Sequence, residues 1–320
     1  NTAQPSLEYH ARIMKKISLL IPIYGVENYI EQCARSLFSQ SYTSIEYIFV
    51  DDCTKDRSIE ILQSVMEDYP DRKEDILLIR HEHNKGLGAA RRTAFEAATG
   101  EYIMHVDSDD MLPSNAVELL TIKAEESHAD IIDGGYAYWK DGKASTPIMP
   151  DHIKKEKYLR WMLCQNILSN RIWGRLYRRN LLVEHDIRSI EGIDYSEDYA
   201  VVPRAMYFAK RAFIDDVVYD YRTDNLNSYT HAISEKNLIS HFKACQLVAS
   251  FFEREDKDGK YRRCVDIGMV NAYRCAAENK IDFKKVDAIC TYPIKDAVCR
   301  LCIHLMRKGW SVKKVNYIYL

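Results

Sequence analysis

From residue 17 onward the chain alternates short apolar runs with stretches whose apolar residues recur every three or four positions, and this alternation sharply narrows the folds open to it. Residues 17–23 predict a buried strand, and Ile30, Cys33, Ala34 and Leu37 predict one face of a helix. Residues 45–50 then give a second strand, followed by the helical face Ile59, Leu62, Val65, Met66 and Tyr69. A third strand is expected over 75–80, a helix carrying Leu87, Ala90, Ala94 and Ala98, a stop at Gly100, and a fourth strand over 102–106. Strands and helices in strict alternation build βαβ units around a largely parallel sheet.

Beyond that frame, a helix is predicted to begin near Ser114, just after Pro113, and a strand at 129–132. The turn-rich stretch 141–150 is the clearest internal boundary. A helical stretch over 154–168, a short piece over 171–178, a helix over 197–209 and a mostly helical run over 232–308 follow. The expected organisation is an N-terminal extension (1–16), a nucleotide-binding α/β half (17–135), an acceptor-binding and catalytic half (136–231) and a helical C-terminal extension (232–320).

Ligands of open α/β sheets bind beyond the carboxyl ends of the strands. In this chain those ends are polar: residues 24–28, 51–56, 81–86 and 107–110. The segment Asp107-Ser108-Asp109-Asp110 places three carboxylates within four residues, which repel one another unless a cation or strong donors relieve them. Oxygen-rich sets suit Mg2+ or Mn2+, which take one or two carboxylates and let substrate phosphates complete the shell. A calcium EF-hand is excluded, because Leu112 stands where the loop requires glycine and Met111 where it requires a ligand. The competing reading is an acidic turn capping the helix near Ser114.

Val50-Asp51-Asp52-Cys53-Thr54-Lys55-Asp56 has the same form, with acids able to accept from a base or ribose. Asn84-Lys85-Gly86-Leu87-Gly88-Ala89-Ala90-Arg91-Arg92 opens a helix, but it lacks the third glycine of a dinucleotide fingerprint and follows the third strand rather than the first. What remains is a close-packed helix start with a guanidinium within reach of a phosphate, or ordinary helix–sheet packing.

Bulk properties exclude several classes. Charged residues make up 29 % and apolar ones 47 % with a net charge of −2, a globular balance with no basic excess for a nucleic-acid partner. The nine cysteines follow no secreted-scaffold spacing and read as reduced thiols. Cys299 and Cys302 form a C-x-x-C with no second pair to complete a zinc site. No apolar run approaches the ~18 residues that span a bilayer, so the expectation is a cytoplasmic chain. The basic and aromatic stretch 307–314 could rest at the periphery of an anionic membrane surface or form a solvated end.

Taken together, Ile21-Pro22-Ile23-Tyr24-Gly25-Val26-Glu27, Val50-Asp51-Asp52, Asn84-Lys85-Gly86-Leu87, Gly100-Glu101-Tyr102-Ile103 and Asp107-Ser108-Asp109-Asp110 resemble, in order and spacing, the family 2 glycosyltransferases of GT-A fold. Trp173-Gly174-Arg175-Leu176-Tyr177-Arg178-Arg179 and Ser196-Glu197-Asp198-Tyr199 are similar to that family's later motifs, so the likeness covers residues 17 to about 230. The resemblance implies a mostly parallel mixed sheet flanked by helices and inverting transfer of a sugar, UDP-linked, from a nucleotide-sugar donor to a carbohydrate or lipid-linked glycan acceptor. It implies that Pro22 and Glu27 border the nucleotide, that Asp52 pairs with the base and that Arg91 lies near base or diphosphate. It further implies that Asp107 contacts the ribose, that Asp109 holds Mn2+ or Mg2+ against the diphosphate, and that Asp198 is the general base. Gly25, commonly asparagine in the family, and Cys53, commonly glycine, depart from its pattern.

The polar stretch 221–231 reads as a lid over the donor, with Arg222 a candidate for the diphosphate and His231 for the metal shell or an ordinary surface position. Tyrosines and tryptophans between 136 and 177 could stack on an acceptor sugar or fill the core. The motifs leave open a binding module without catalysis, or a nucleotidyltransferase, although the chain has no Gly- and Lys-rich triphosphate loop.

Overall fold

The computed structural model describes residues 14–164, 170–225 and 234–310. The first half follows the predicted alternation closely. Strand β1 (Ile17–Ile23) leads to helix α1 (Ile30–Phe38), β2 (Ile45–Asp51), α2 (Ser58–Glu67), β3 (Ile76–Arg80), α3 (Leu87–Ala97) and β4 (Tyr102–His105). Helix α4 (Ala116–Ser127), β5 (Ile131–Lys140), the short β6 (Lys143–Ala144), α5 (Lys155–Leu163), β7 (Arg175–Arg178), α6 (Arg179–Glu184), α7 (Glu197–Phe208) and β8 (Arg211–Arg222) follow. Four helices close the described chain: α8 (Glu235–Glu255), α9 (Arg262–Glu278), α10 (Phe283–Asp287) and α11 (Ala297–Arg307).

Among the described residues the strands form one eight-stranded sheet in the order β3-β2-β1-β4-β7-β5-β6, with β8 paired to β5. The pairs β3–β2, β2–β1, β1–β4 and β5–β8 are parallel, and β7 runs antiparallel to both β4 and β5. Every residue of β1 is buried, as expected of a central parallel strand covered on both faces.

Because side chains alternate along a strand, β1 feeds two cores. Ile17, Leu19, Ile21 and Ile23 pack with α1, α2 and α4, whereas Leu20 joins Ala90 and Ala94 of α3 and the residues of α5, α7, α8, α9 and α11. The C-terminal helices therefore continue one core layer of the sheet, which accounts for the lack of a turn-rich break before them.

Four charged side chains lock the second half of the sheet. Asp133 of β5 accepts from Arg175 of β7 and Arg211 of β8, and Arg171 donates to the Gly134 carbonyl at 2.8 Å. Burial alone would raise the Asp133 pKa, but Arg175, Arg211 and Arg171 outweigh it and hold the carboxyl at about 2.

Candidate active site

The strand order 3-2-1-4 makes the gap between β1 and β4 the point where successive crossovers diverge to opposite sides, with α1 and α2 packed in one core and α3 in the other. A crevice opens at the carboxyl ends of strands at such a switch point. Here it is a cavity of about 610 Å³ whose lining includes Pro22, Asp52, Arg91, Asp107, Asp109 and Asp198, all singled out from the sequence.

The loops after β1 and β2 form one rim by bonding to each other. Gly25, at φ +69°, donates its N–H to Thr54 Oγ1 at 2.9 Å, and Val26 donates to Ser58 Oγ at 3.1 Å. Glycine and asparagine both tolerate that left-handed backbone, so the Gly25 departure keeps the turn. Cys53 also sits at positive φ, 58°, which explains a family preference for glycine there. The Glu27 carboxylate lies outside the cavity lining and accepts the Arg57 N–H at 3.0 Å, against the start of α2. Asp52 does line the cavity, with both oxygens engaged: His81 Nδ1 lies 2.7 Å from Oδ1, the Lys85 N–H donates to Oδ1 at 2.8 Å, and the Gly86 N–H to Oδ2 at 2.9 Å.

The glycines of the third segment serve close packing. A Cβ on Gly88 would stand 2.4 Å from the Ile190 carbonyl oxygen and 2.5 Å from that of Ile193, and the Asp194 carboxylate accepts the Gly88 N–H at 3.2 Å. That carboxylate occupies the anion-attracting start of α3, so this helix end is not the phosphate cradle of a dinucleotide fold. Gly88→Ala is expected to cost about 1–3 kcal/mol, because the neighbours that must move are backbone carbonyls, read as a lowered midpoint in urea denaturation.

One helical turn further, Arg91 is wholly buried and bridges the two halves of the site. Its Nη2 lies 2.7 Å from Asp107 Oδ1 and 3.5 Å from Glu197 Oε1. Burial works against its charge, but Asp107, Glu197 and Asp198 together hold its pKa above the usual value. The acidic segment itself is stapled to β8. Tyr219 donates to Asp110 Oδ2 at 2.7 Å and accepts the Asp107 N–H at 3.0 Å, while the Arg222 N–H donates to Asp110 Oδ1 at 2.7 Å. Asp110 thus fixes the loop and leaves Asp107 and Asp109 to face the cavity. Burial and then the Asp107 charge raise the Asp109 pKa, and the Asn225 side-chain amide donates to its Oδ2 at 2.7 Å.

The Arg222 guanidinium lies outside the lining: it donates to the Asp109 carbonyl at 2.8 Å and to Gln32, and sits 5.1 Å from the Tyr29 ring centroid. Residues 221 and 222 close β8, and the part of the 221–231 stretch after residue 225 lies outside the described residues. His231 lies outside the described residues.

Asp198 stands in the first turn of α7, after Ser196, whose backbone is left-handed at φ 65°. Its Oδ2 accepts the Ile172 N–H at 3.2 Å, while Oδ1 is buried and accepts no hydrogen bond of ordinary geometry. Burial raises the Asp198 pKa against the pull of Arg91; burial and the adjacent Asp198 charge raise that of Glu197 further. Helix α8 holds the turn in place. Ser240 Oγ accepts the N–H groups of Asp194 and Tyr195 at 3.0 Å each, and His241 Nδ1 lies 2.9 Å from Ser196 Oγ. Burial depresses the His241 pKa to about 4, so the imidazole is neutral near pH 7. Nothing in the periodic helical pattern around them distinguishes Ser240 and His241, and Tyr219 and Asn225 were equally silent.

A second cavity of about 580 Å³ adjoins the first, sharing Trp173, Ser196, Asp198 and Tyr221 with it. Its wall is aromatic: Trp173 stacks on Tyr221 with ring centroids 5.0 Å apart and meets Tyr136 edge-on at 5.1 Å, and Arg171 lies 4.7 Å from the Tyr136 ring centroid. Of the aromatic residues between 136 and 177 that the sequence offered for stacking, Tyr136, Tyr138 and Trp173 line this cavity.

The Glycosyl transferase family 2 model matches residues 18–185, just over half of the chain. EpsJ of Bacillus subtilis, described as an uncharacterized glycosyltransferase, is 31 % identical over 295 residues, which span 86 % of this chain and 83 % of EpsJ. The uncharacterized glycosyltransferase YibD of Escherichia coli is 28 % identical over 233 residues, 70 % of this chain and 66 % of YibD. Among solved structures, residues 1–349 of Staphylococcus aureus TarS in complex with UDP-GlcNAc resemble the fold with a TM-score of 0.68 at 19 % identity, covering 94 % of this chain and 88 % of that one. By that domain match and the EpsJ likeness, carried on a GT-A sheet with its crevice at the β1/β4 switch point, the chain belongs to the family 2 glycosyltransferases.

Proposed function

We propose that the chain transfers a hexose or related sugar from a UDP-linked donor to a hydroxyl of a carbohydrate or lipid-linked glycan acceptor, with inversion at the anomeric carbon, in glycan or polysaccharide synthesis. The observation that carries this reading is the position of Asp198 where a carboxylate-lined cavity meets an aromatic one. A base that takes a proton from the acceptor must stand between acceptor and donor, and one displacement from the face opposite the leaving group inverts the centre. The raised pKa of Asp198 favours that role, since a base closer in pKa to the working pH transfers protons more effectively.

The donor side assigns work to the acids. Asp107, held by Arg91, meets the ribose; Asp52, oriented by His81 and two backbone N–H groups, meets the base; Pro22 borders the nucleotide. TarS crystallised with UDP and with UDP-GlcNAc supports a uridine donor. Aromatic faces such as Trp173 and Tyr136 suit the apolar faces of sugar rings on the acceptor side.

The residues also fit a divalent cation. Asp107 and Asp109 offer hard oxygen donors, burial and mutual repulsion raise the Asp109 pKa, and among the described residues no group of three or more His, Cys, Asp and Glu forms a closed site. Such a pair would hold Mn2+ or Mg2+ only with the donor's diphosphate completing the shell, as these ions commonly bind. When bound, the cation supplies Lewis-acid stabilisation of the departing diphosphate. His231 remains a candidate ligand outside the described residues.

Calorimetry with a panel of nucleotide sugars, with Mn2+ or with chelator, tests the proposal. The expected result is metal-dependent binding of a UDP-sugar, weakened about tenfold or more by Asp109→Ala, with UDP released on adding a glycan acceptor. Metal-independent binding and turnover would remove Asp109 from its role, and a preference for another nucleotide would replace the donor.

A further inference from the structure

The outer face of α11 is not absorbed by the site. The helix buries Cys299, Cys302, Ile303 and Met306 against the body. On the opposite side Val298 and Leu301 are 40 % and 46 % exposed, Leu305 is half-buried, and Trp310 just past the helix is 47 % exposed. Val298, Leu301 and Leu305 follow the i, i+3, i+7 spacing of one helical stripe. Arg300, His304 and Lys308 flank it, all exposed. Arg307 pairs with Asp287 at 2.6 Å, whereas Lys308 makes no ion pair among the described residues and the Arg300 guanidinium donates to the Ile294 and Lys295 carbonyls.

Charge says what covers this face. From residue 280 to 310 the sequence has seven Lys and Arg against three Asp, while the chain as a whole is net −2. This stretch, which contains α11, is thus net positive in an otherwise acidic chain. A second copy docking through the same patch would bring two basic patches together, since a two-fold interface uses the same surface on both copies. An anionic lipid surface offers the opposite: negative headgroups for the basic flank, an apolar boundary for Val298, Leu301 and Leu305, and the interfacial depth that indole prefers. The helix is 11 residues long, too short to span a bilayer and suited to lying in its surface.

We propose that the outer face of α11, with Trp310, rests on an anionic membrane surface and holds the enzyme there as a peripheral protein. Contact is shallow, because the inner face of α11 stays packed on the body, so attachment depends on charge and is reversed by salt.

The test is co-sedimentation of the full chain with vesicles of phosphatidylcholine alone and of phosphatidylcholine mixed with phosphatidylglycerol. The full chain is expected to pellet with the mixed vesicles only, less so at high salt. Arg300→Glu with Lys308→Glu, and separately Leu301→Asp with Trp310→Ser, are expected to lower partitioning by about tenfold or more. Nucleotide binding and circular dichroism of these variants should match the parent, because the substituted side chains are exposed. Absence from anionic vesicles would overturn the proposal, as would partitioning insensitive to both variants. Self-association of the parent in solution that the same variants abolish would assign the face to a second copy instead. The reading is independent of the donor and acceptor assigned above.

Discussion

Asp198→Asn is expected to lower turnover by about a hundred- to ten-thousand-fold, the range that a positioned general base contributes, while donor affinity stays within about twofold. The substitution is nearly isosteric. The amide oxygen can still accept the Ile172 N–H, so the first turn of α7 and both cavity walls should keep their shape. What is lost is the carboxylate charge, which in the parent can take a proton at the junction of the two cavities. The prediction has a signature beyond loss of rate. Burial raises the Asp198 pKa, and its partner Glu197 is raised further, so the pair takes up a proton above the usual carboxylate range near 4. Activity of the parent should therefore fall with acid through a limb placed above that range, and the residual activity of the variant should lack the limb. Unchanged turnover would show that another group accepts the proton. Weakened donor binding with intact turnover would make Asp198 a part of the nucleotide site.

The site divides into parts that the sequence announces and parts that it cannot. The strand ends carrying Asp52 and Asp107 were legible because β1, β2 and β4 are central parallel strands, whose unbroken apolar runs stop where the chain meets solvent. Helices α1, α2 and α3 were legible because each lays one apolar stripe on the sheet. The long pairing of β5 with β8 was not. Apolar sequence in β5 breaks at Asp133-Gly134-Gly135, so the strand read only as far as Ile132; yet Asp133 is neutralised by arginines from β7 and β8, and Gly134 is bare because a Cβ there would stand 2.2 Å from Val218. The ladder shifts register at those glycines. No local pattern in 211–222 could reveal a partner some 80 residues away, and Asp215 and Asp216 interrupt its apolar residues. The same long-range pairing gives Asp110 its role and sets the Arg222 guanidinium against the Asp109 carbonyl, a placement that no local pattern in the sequence announces. The Glu27 contact was illegible for a different reason: position beside a strand end does not say which way a side chain turns, and the start of α2 offers it a backbone donor.

Arg91→Met is expected to cost about 3–5 kcal/mol of stability, the loss typical when one member of a buried charge group is removed and the others remain. Methionine fills much of the same volume, so the loss should come from charge rather than from a void. The guanidinium faces Asp107, Glu197 and Asp198, and for both Glu197 and Asp198 it opposes the effect of burial. In the folded parent these two carboxyls already have raised pKa values, so above the ordinary carboxylate range near pH 4 the folded state binds more protons than the unfolded chain. Their contribution to stability accordingly falls as pH rises from that range through their folded pKa values. Without Arg91 those values move higher still, and the fall is deeper and extends to higher pH. Urea denaturation should then find a larger gap between parent and variant near pH 8 than near pH 5, where protonation relieves the exposed repulsion. A gap that does not change with pH would mean that Arg91 contributes packing alone. Because Asp107 and Asp198 line the donor cavity on either side of this guanidinium, the same variant should also weaken nucleotide binding. That loss would persist at the pH where stability recovers, since Asp107 has lost the guanidinium that holds its carboxylate in place.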